Sequence, residues 1–412
     1  MTRAPLLRVL PLLLLAAAPL AAQDRTLHLA IGDPARRERE APLVLDAITD
    51  TRTGEVIAPD DLAARLAGSQ LVIVGEEHTG LESHRAQLRV IQELHRAGRT
   101  VMVGLEMYPA SEQRFLDQWH DGLLTEEGLV RLSRWYTNWG YNWAYYRDIF
   151  LFARDAGIPM FAVNAPREVV TSVRKKGFQN LTEEESRYLP SRVDTSSEEH
   201  KTLFRAYFGD DDPLHSGMRP EDLERMYAAQ ATWDAAMAHN ALRALRERGK
   251  GSPEAVMVVL AGGGHAAYGL GIQRQARSQG FSGKITTVAP VPVSTEDGKV
   301  VEKVQASYAE LVWGVLPESA PPFPSLGLST SAGEAGGPRK VIFLTDESPA
   351  EKAGFQVGDL LLTLDGAPLT EPEALNRAMA TKRWGDSATF TVRRGERTEE
   401  VKVVLRREQA PK

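Results

Sequence analysis

The chain has 412 residues, more than one hydrophobic core usually supports, so two domains are expected. With 42% hydrophobic and 25% charged residues it has the composition of a folded protein, and its net charge of −6 without a basic stripe excludes a nucleic-acid-binding surface. The absence of cysteine excludes disulfides, thiolate metal ligands and a Cys-anchored lipoprotein form.

The amino terminus has the three parts of a secretory signal peptide. Arg3 and Arg8 precede a short apolar run. A proline interrupts this run, and small residues follow it. The alternative is an uncleaved anchor, which we disfavour because a membrane-spanning helix needs about 20 apolar residues. Residues 1–22 are therefore predicted to direct a soluble protein to the periplasm or the medium, and 23–42 to form an extension.

Four apolar runs typical of buried strands each end abruptly in polar residues. A helical spacing of apolar residues over 81–97 links the first run to the second, which predicts a parallel βαβ unit. The fold class expected is α/β, with a mainly parallel sheet and helices on both faces. Because parallel strands end at one edge of a sheet, their polar ends are expected to meet there. The runs are 71–78, 100–106, 159–164 and 256–265, and they end in His78, Glu106, Asn164 and His265.

Further along the chain, seven aromatic residues are concentrated between Trp135 and Tyr146, although aromatic residues average only 7% of the sequence. Four prolines in 317–324 indicate a linker, so the first domain is expected to span 43–316. Pro109 is expected to begin a helix. Other helices are predicted over 149–155 and 221–248, and strands over 284–291 and 306–315.

The last part of the chain carries several short motifs in a fixed order, and through them residues 325–408 resemble a PDZ domain of the bacterial HtrA protease kind. The chain lacks a Gly-x-Ser-x-Gly sequence, so an attached HtrA protease is not expected. The motifs are Ser348-Pro349-Ala350, Ala353-Gly354, Gly358-Asp359 and Asp365-Gly366.

The PDZ resemblance implies a groove that binds the carboxyl terminus of another protein. The backbone amides of Leu326, Gly327 and Leu328 would face the terminal carboxylate while the peptide adds a strand to the sheet edge. Leu375 and Met379, one helical turn apart, would line the side-chain pocket. The alternative for these two residues is helix core packing.

In the first domain, His78, Glu106 and His265 form a set of two histidines and one carboxylate. Such a set can hold Zn, Mn or Fe(II), whose protein ligands include imidazole and carboxylate. It can also work without metal, with one histidine as general base and a carboxylate orienting it. The third alternative is structural, each histidine being satisfied by hydrogen bonds at a strand end.

These residues also belong to a longer stretch, 43–316, that resembles the haem-binding uptake family of ChaN. ChaN belongs with the Tiki proteases, TraB proteins and erythromycin esterases, which share paired Gly-x-x-His motifs and a glutamate. Here these are Gly75 with His78, Gly262 with His265, and Glu106. The similarity also covers His84, Gln87, Gln113, Tyr146-Arg147, Asn164-Ala165-Pro166-Arg167, Asp234 and Met237-Ala238.

The ChaN resemblance implies a haem site. Haem iron needs an axial Tyr or His and an apolar face for the macrocycle. The aromatic segment would supply that face, with Tyr141, Tyr145 or Tyr146 as the axial ligand and His84 as a further cofactor-binding residue. The alternative is that these aromatic residues pack the core of the domain or a homodimer interface.

The Tiki relatives imply a different chemistry, that of a metal-dependent hydrolase or peptidase. Zn or Mn would bind at His78, Glu106 and His265, and Arg167 would hold an oxyanion or a substrate carboxylate. The residues leave open whether the chain is an enzyme.

Together these features predict an exported two-domain protein that binds haem or iron for uptake or handling, with a PDZ domain that docks it to an envelope partner. The first alternative is the hydrolase, to which the PDZ domain would present a peptide substrate. The second is an envelope adaptor with a degenerate first domain.

Overall fold

The computed structural model describes residues 26–207, 219–293, 300–318, 321–331, 337–371 and 373–406. The predicted signal peptide 1–22, the first residues of the predicted extension, 319–320 of the predicted linker and the last two of the predicted PDZ domain lie outside these ranges. The chain divides into two compact units between Pro321 and Pro322. Within the described ranges, no helix has both the length and the apolar character needed to cross a bilayer.

The first unit is built on an eight-stranded sheet in the order β3-β2-β10-β8-β4-β7-β5-β6. The six strands from β10 to β6 pair in parallel, and β2 and β3 pair antiparallel. Strands β1 and β9 form a separate antiparallel pair. The strands are β1 Glu40–Pro42, β2 Ile48–Asp50, β3 Glu55–Ile57, β4 Ser69–Glu76, β5 Thr100–Pro109, β6 Met160–Asn164, β7 Ala255–Gly262, β8 Lys284–Pro292, β9 Lys303–Gln305 and β10 Leu311–Val315.

Helices cover this sheet and connect its strands. The α-helices are Leu62–Arg65, Leu81–Arg96, Gln113–His120, Glu126–Leu132, Trp135–Asn138, Arg147–Asp155, Arg167–Lys176, Glu183–Ser186, Glu198–Ala206, Pro220–Arg248, Gly263–Ala266 and Ile272–Ser278. Short 3-10 helices are Pro59–Asp61, Ala110–Glu112, Trp143–Tyr145, Phe178–Asn180 and Ala267–Gly269.

The main core lies between the sheet and the Pro220–Arg248 helix. Leu71 and Ile73 from β4 and Met257 and Val259 from β7 are fully buried against Met237 of this helix and its neighbours. These strand residues are spaced by two and therefore point to one face of the sheet. The apolar runs are continuous because the alternating residues on the other face are buried as well.

The α/β fold and its parallel sheet confirm the fold prediction, and the four polar-ended runs are adjacent strands β4, β7, β5 and β6. Two local predictions were wrong. Residues 306–315 are not one strand, because the Tyr308 carbonyl accepts a hydrogen bond from Tyr268 N in a loop that precedes β10. Pro109 ends β5, opposite Asn164 of β6, and the next α-helix begins at Gln113.

The second unit is a small β-rich domain. Its sheet has the order β11-β12-β13-β15-β16, with β14 paired to β13, so β11 is an edge strand of this sheet. Val341, Phe390 and Val392 are fully buried in its core. The strands are β11 Leu328–Ser331, β12 Arg339–Leu344, β13 Leu360–Leu364, β14 Ala367–Pro368, β15 Ser387–Arg394 and β16 Arg397–Val404, and the helices are Pro349–Lys352 and Ala374–Ala380.

Candidate functional site

The candidate site lies at the carboxyl ends of β4, β7 and β5. Parallel register places Glu76, the last residue of β4, opposite Gly262, the last residue of β7. Glu106 of β5 receives a hydrogen bond from Gly262 N at 2.6 Å, and its Oε1 lies 3.2 Å from His265 Nε2. The polar ends of these strands therefore meet at one edge of the sheet, as the sequence predicts.

Glu76 is a buried carboxylate with three hydrogen-bond donors around it. Oε1 accepts from His78 Nδ1 at 2.8 Å and from the Tyr146 hydroxyl at 2.6 Å, and Oε2 accepts from Gln87 Nε2 at 2.7 Å. Burial acts to raise the pKa of Glu76, but the charge of His84 and the bonds from His78 and Tyr146 lower it to about 2. Glu76 is therefore ionised and fixes the orientation of His78.

His78 is packed between aromatic rings. Its ring centroid lies 4.8 Å from that of Trp139, edge to face, and 4.8 Å from that of Tyr141. Burial acts to lower the pKa of His78, but the hydrogen bond and charge of Glu76 raise it. Gly262 allows this packing, because a Cβ there would lie 2.9 Å from His78 Cε1.

Glu106, His265 and Asp234 form a second buried chain of charged groups. His265 Nδ1 lies 2.6 Å from Asp234 Oδ1, and Gln230 Nε2 is 3.1 Å from the same nitrogen. Burial acts to lower the pKa of His265, but Glu106 and Asp234 outweigh it and raise the pKa to about 10. His265 is therefore a cation held between two carboxylates at neutral pH.

His200 extends this chain and was not predicted as a site residue. Its Nε2 lies 3.5 Å from Asp234 Oδ2, and its Nδ1 lies 3.2 Å from both the Tyr227 hydroxyl and Arg274 Nη2. Burial lowers the pKa of His200 to about 4, although Asp234 acts to raise it. Neutral His200 therefore packs beside Asp234, while its hydrogen bonds go to Tyr227 and Arg274.

The predicted metal ligands His78, Glu106 and His265 lie in one cluster, but the polar atoms of Glu106 and His265 and Nδ1 of His78 are paired with protein groups. Both ring nitrogens of His265 face carboxylates, and Glu106 Oε2 is bonded to a backbone amide. In the part of the chain that the structure describes, no group of three His, Asp or Glu side chains is arranged to hold a metal ion. A divalent metal site at these residues stays a prediction.

Three of the four predicted cofactor-binding residues are buried in the domain. Tyr145 and Tyr146 are 5% and 0% exposed, and burial followed by the charge of Glu76 raises the pKa of Tyr146 well above its usual value. His84 is 2% exposed, and its Nδ1 lies 3.1 Å from Gln87 Oε1. Its ring is tilted against that of Tyr146, with the two centroids 4.3 Å apart. These residues build the site's interior, and their contact with a cofactor stays a prediction.

Tyr141 differs from Tyr145 and Tyr146 because it is partly exposed, and it lies beside the His78 and Trp139 rings. Its phenol oxygen is a haem ligand type. The adjoining Trp139 ring is apolar but only 4% exposed, so it is the donor type at this point that fits a haem group. Sequence alone could not single out Tyr141, because it does not show which of seven neighbouring aromatic side chains reaches the surface.

Arg167 lies close to the aromatic segment. It is the first residue of the Arg167–Lys176 helix, and its Nη1 donates a hydrogen bond of 2.8 Å to the Thr137 carbonyl. Burial lowers the pKa of the guanidinium, with Glu168 acting in the opposite direction. Its role as an oxyanion-holding residue stays a prediction.

In the second unit, the predicted peptide-binding residue Leu328 begins the edge strand β11, and the Gly327 turn precedes it. Gly327 has a φ of +69°, and a Cβ there would lie 2.3 Å from Ser348 Cβ. Leu326 and Leu375 are buried in the core, and Leu328 and Met379 are partly buried against it. The glycine turn and the edge strand have the geometry expected of a PDZ peptide groove, while binding itself stays a prediction.

Comparison with known proteins identifies the second unit as a PDZ domain, whose family model matches residues 324–405. A probable periplasmic serine endoprotease DegP-like of Brucella suis biovar 1 (strain 1330) is 28% identical over 126 residues, 30% of this chain. The chain spans 24% of the length of that curated relative. The HtrA3 PDZ domain bound to a phage-derived ligand is 20% identical, with a TM-score of 0.18, covering 20% of this chain and 83% of that one.

For the first unit, the structure of ChaN of Campylobacter jejuni, whose description is cofacial haem binding, is 20% identical with a TM-score of 0.49. That match covers 66% of this chain and 98% of that one. The model of the haem-binding uptake family, Tiki superfamily, ChaN, matches residues 62–275, which is more than half of the 412 residues. The chain therefore belongs to the ChaN haem-binding uptake family of the Tiki superfamily.

Proposed function

We propose that the first unit binds haem on the surface formed by Tyr141 and its neighbouring rings, with Tyr141 as the axial ligand. The observation that carries this proposal is that Tyr141 is partly exposed while Tyr145 and Tyr146 are buried. Membership of the ChaN family supports haem as the ligand. Bound haem would supply an iron centre and a large apolar surface.

The surrounding side chains prepare Tyr141 for iron. A tyrosine binds iron best as phenolate, and a neighbouring positive charge favours that form. His78 would provide it when protonated: burial acts to lower the pKa of its imidazole, but Glu76 raises it, and the His78 and Tyr141 ring centroids lie 4.8 Å apart. The Glu76 carboxylate accepts from His78 Nδ1, which leaves the opposite side of the ring beside Gly262.

We further propose that the protein handles haem or iron in the periplasm and that its PDZ domain docks it to an envelope protein. The signal-peptide pattern of residues 1–22 supports export. The edge strand β11 and the Gly327 turn support recognition of a carboxyl terminus by strand addition. The DegP-like relative, described as periplasmic, is consistent with that location.

The test of haem binding is a titration of the mature full-length protein with haemin, monitored by absorption, with metal analysis of the same sample. We expect a saturable Soret shift that Tyr141→Phe weakens at least about tenfold, since iron would lose its protein ligand. Tyr145→Phe is the matched control and should bind as the wild type does. Equal binding by Tyr141→Phe, or no saturable shift in the wild type, would contradict the proposal.

A metal-dependent hydrolase is the second candidate, favoured by the Glu106–His265–Asp234 arrangement. A metal-free version is less well supported, because a general base must be neutral and the pKa of His265 is raised to about 10. A hydrolase should hold Zn or Mn stoichiometrically and lose both metal and peptide cleavage in His265→Ala. An adaptor would lack haem and metal binding yet retain peptide binding.

A further inference from the structure

Arg167 is a partly buried arginine at the start of the Arg167–Lys176 helix. Within the described residues its guanidinium donates one hydrogen bond, to the Thr137 carbonyl, and no carboxylate of those residues forms an ion pair with it. Arg36, by contrast, is buried against Asp33 and Glu310. A guanidinium has five N–H donors, so most of those on Arg167 are available to a ligand.

Those remaining donors are accessible. Nε and Nη2 of Arg167 have no hydrogen-bond partner among the described residues, and neither atom is fully buried. Partial burial nevertheless lowers the pKa of the guanidinium, which means that the charge is incompletely solvated. A partly desolvated cation with unused donors is a favourable place for an anion.

The position of Arg167 connects it to the Tyr141 surface. Thr137, to which it bonds, precedes Trp139 by two residues, and two residues span at most about 7 Å. The turn before Arg167 is also fixed, because Asn164 Nδ2 donates to the carbonyl of Glu106 at 2.9 Å. Arg167 is therefore held at the same sheet edge as the charged cluster.

We propose that Arg167 is an anion subsite that pairs its guanidinium with a propionate carboxylate of the porphyrin bound at Tyr141. This inference rests on the proposed haem binding and adds the residue that recognises the acidic side of the ligand. The planar fork of arginine matches a carboxylate through two parallel hydrogen bonds.

The test separates propionate recognition from iron ligation by using iron-free protoporphyrin IX and its dimethyl ester on the full-length protein. The quantity measured is the ratio of the affinities for the acid and the ester. In the wild type the acid should bind about tenfold more tightly, as expected for a charge-assisted bidentate pair. Arg167→Gln should bring the ratio close to one with little change in affinity for the ester.

Lys175→Gln on the same helix is the matched control, because it removes the same charge from an exposed position. It should keep the wild-type ratio of affinities. Arg167→Lys should give a ratio between those of the wild type and Arg167→Gln, because lysine keeps the charge but lacks the planar guanidinium that forms two parallel hydrogen bonds. An unchanged ratio in Arg167→Gln would overturn the inference while leaving Tyr141-dependent haemin binding intact. Failure of the wild type to bind haemin would overturn the proposed function and this inference together.

Discussion

Glu76 sets the arrangement of the site through side-chain contacts. It accepts hydrogen bonds from His78, Gln87 and Tyr146, which come from the strand end, the following helix and the aromatic segment. A buried carboxylate is stable only when such donors compensate its lost hydration. The three segments are thus tied together at one charge, and the Tyr146 hydroxyl is used there rather than being free for a ligand.

Gly262 provides a test of the His78 packing. Its φ of −53° is open to any residue, so Gly262→Ala acts through contact alone. The added Cβ would lie 2.9 Å from His78 Cε1, too close for the ring to keep its position. We expect haemin affinity to fall about tenfold, measured by absorption titration, with a changed NMR shift of the His78 Cε1 proton.

Gly263→Ala is the control for that change, since its Cβ would meet Glu76 O at 3.6 Å, an ordinary contact. It should bind haemin as the wild type does and leave the His78 proton shift unchanged. Equal affinities of Gly262→Ala and the wild type would show that the position of His78 does not matter for haem.

The charged state of His265 predicts a pH dependence of stability. Its folded pKa of about 10 lies above the unfolded value of 6.5, so its protonation stabilises the folded state. This contribution is fully present below pH 6.5 and is lost as the pH rises through about 10. The difference in free energy of unfolding between the wild type and His265→Gln should therefore shrink from about pH 7 to about pH 10 in urea titrations. A difference that grows over this range would contradict the assignment.

Sequence reasoning identified the site residues at the strand ends but missed the helical residues that contact the site. His78, Glu106 and His265 follow apolar runs, and parallel strand geometry alone brings such ends together. Gln230 and His200 lie on helices distant in sequence, and no periodicity indicates that Gln230 contacts His265 or that His200 contacts Asp234. Their contribution depends on tertiary packing, which a single sequence does not display.

Helices and strands were predicted best where burial determines the spacing of the apolar residues. The Pro220–Arg248 helix and the parallel strands have continuous apolar surfaces, and their predicted positions agree with the structure. The prediction failed at 306–315, where Tyr308 leaves the strand because its carbonyl bonds to Tyr268. Tyr268 itself has a φ of +59°, a conformation that L residues rarely adopt without support from surrounding contacts.

The Gly327 turn gives a prediction for the peptide groove. Gly327→Ala combines an unfavourable φ of +69° with a Cβ placed 2.3 Å from Ser348 Cβ. It should therefore shift 325–328, abolish binding of carboxyl-terminal peptides and increase hydrogen exchange in peptides covering β11. The measurements are fluorescence polarisation and exchange mass spectrometry on the full-length protein.

Gly395→Ala is the matched control, since it also has a positive φ, +61°, but has no atom within 4 Å of the added Cβ. It should cost about 1 kcal/mol of local stability through its backbone alone and retain peptide binding. If the two variants bound peptide equally, the Gly327 turn would not be part of the groove.

On the scale of the whole molecule, each unit has its own hydrophobic core. The cores around Met257 and around Phe390 contain residues of one unit each. Stability contributed by burial is local to the core that provides it, so damage to one core should leave the other unit folded. The two proposed binding functions should then be lost separately.

Phe390→Ala tests this separation in the full-length protein. Phe390 is fully buried in the PDZ core beside Phe355, and its truncation should cost about 3–5 kcal/mol. Peptide binding should be lost while the haemin titration keeps its wild-type midpoint. Tyr141→Phe should give the reverse result, with peptide binding retained. If Phe390→Ala also removed the Soret shift, haem binding would require an intact PDZ domain, and its assignment to the first unit alone would have to be abandoned.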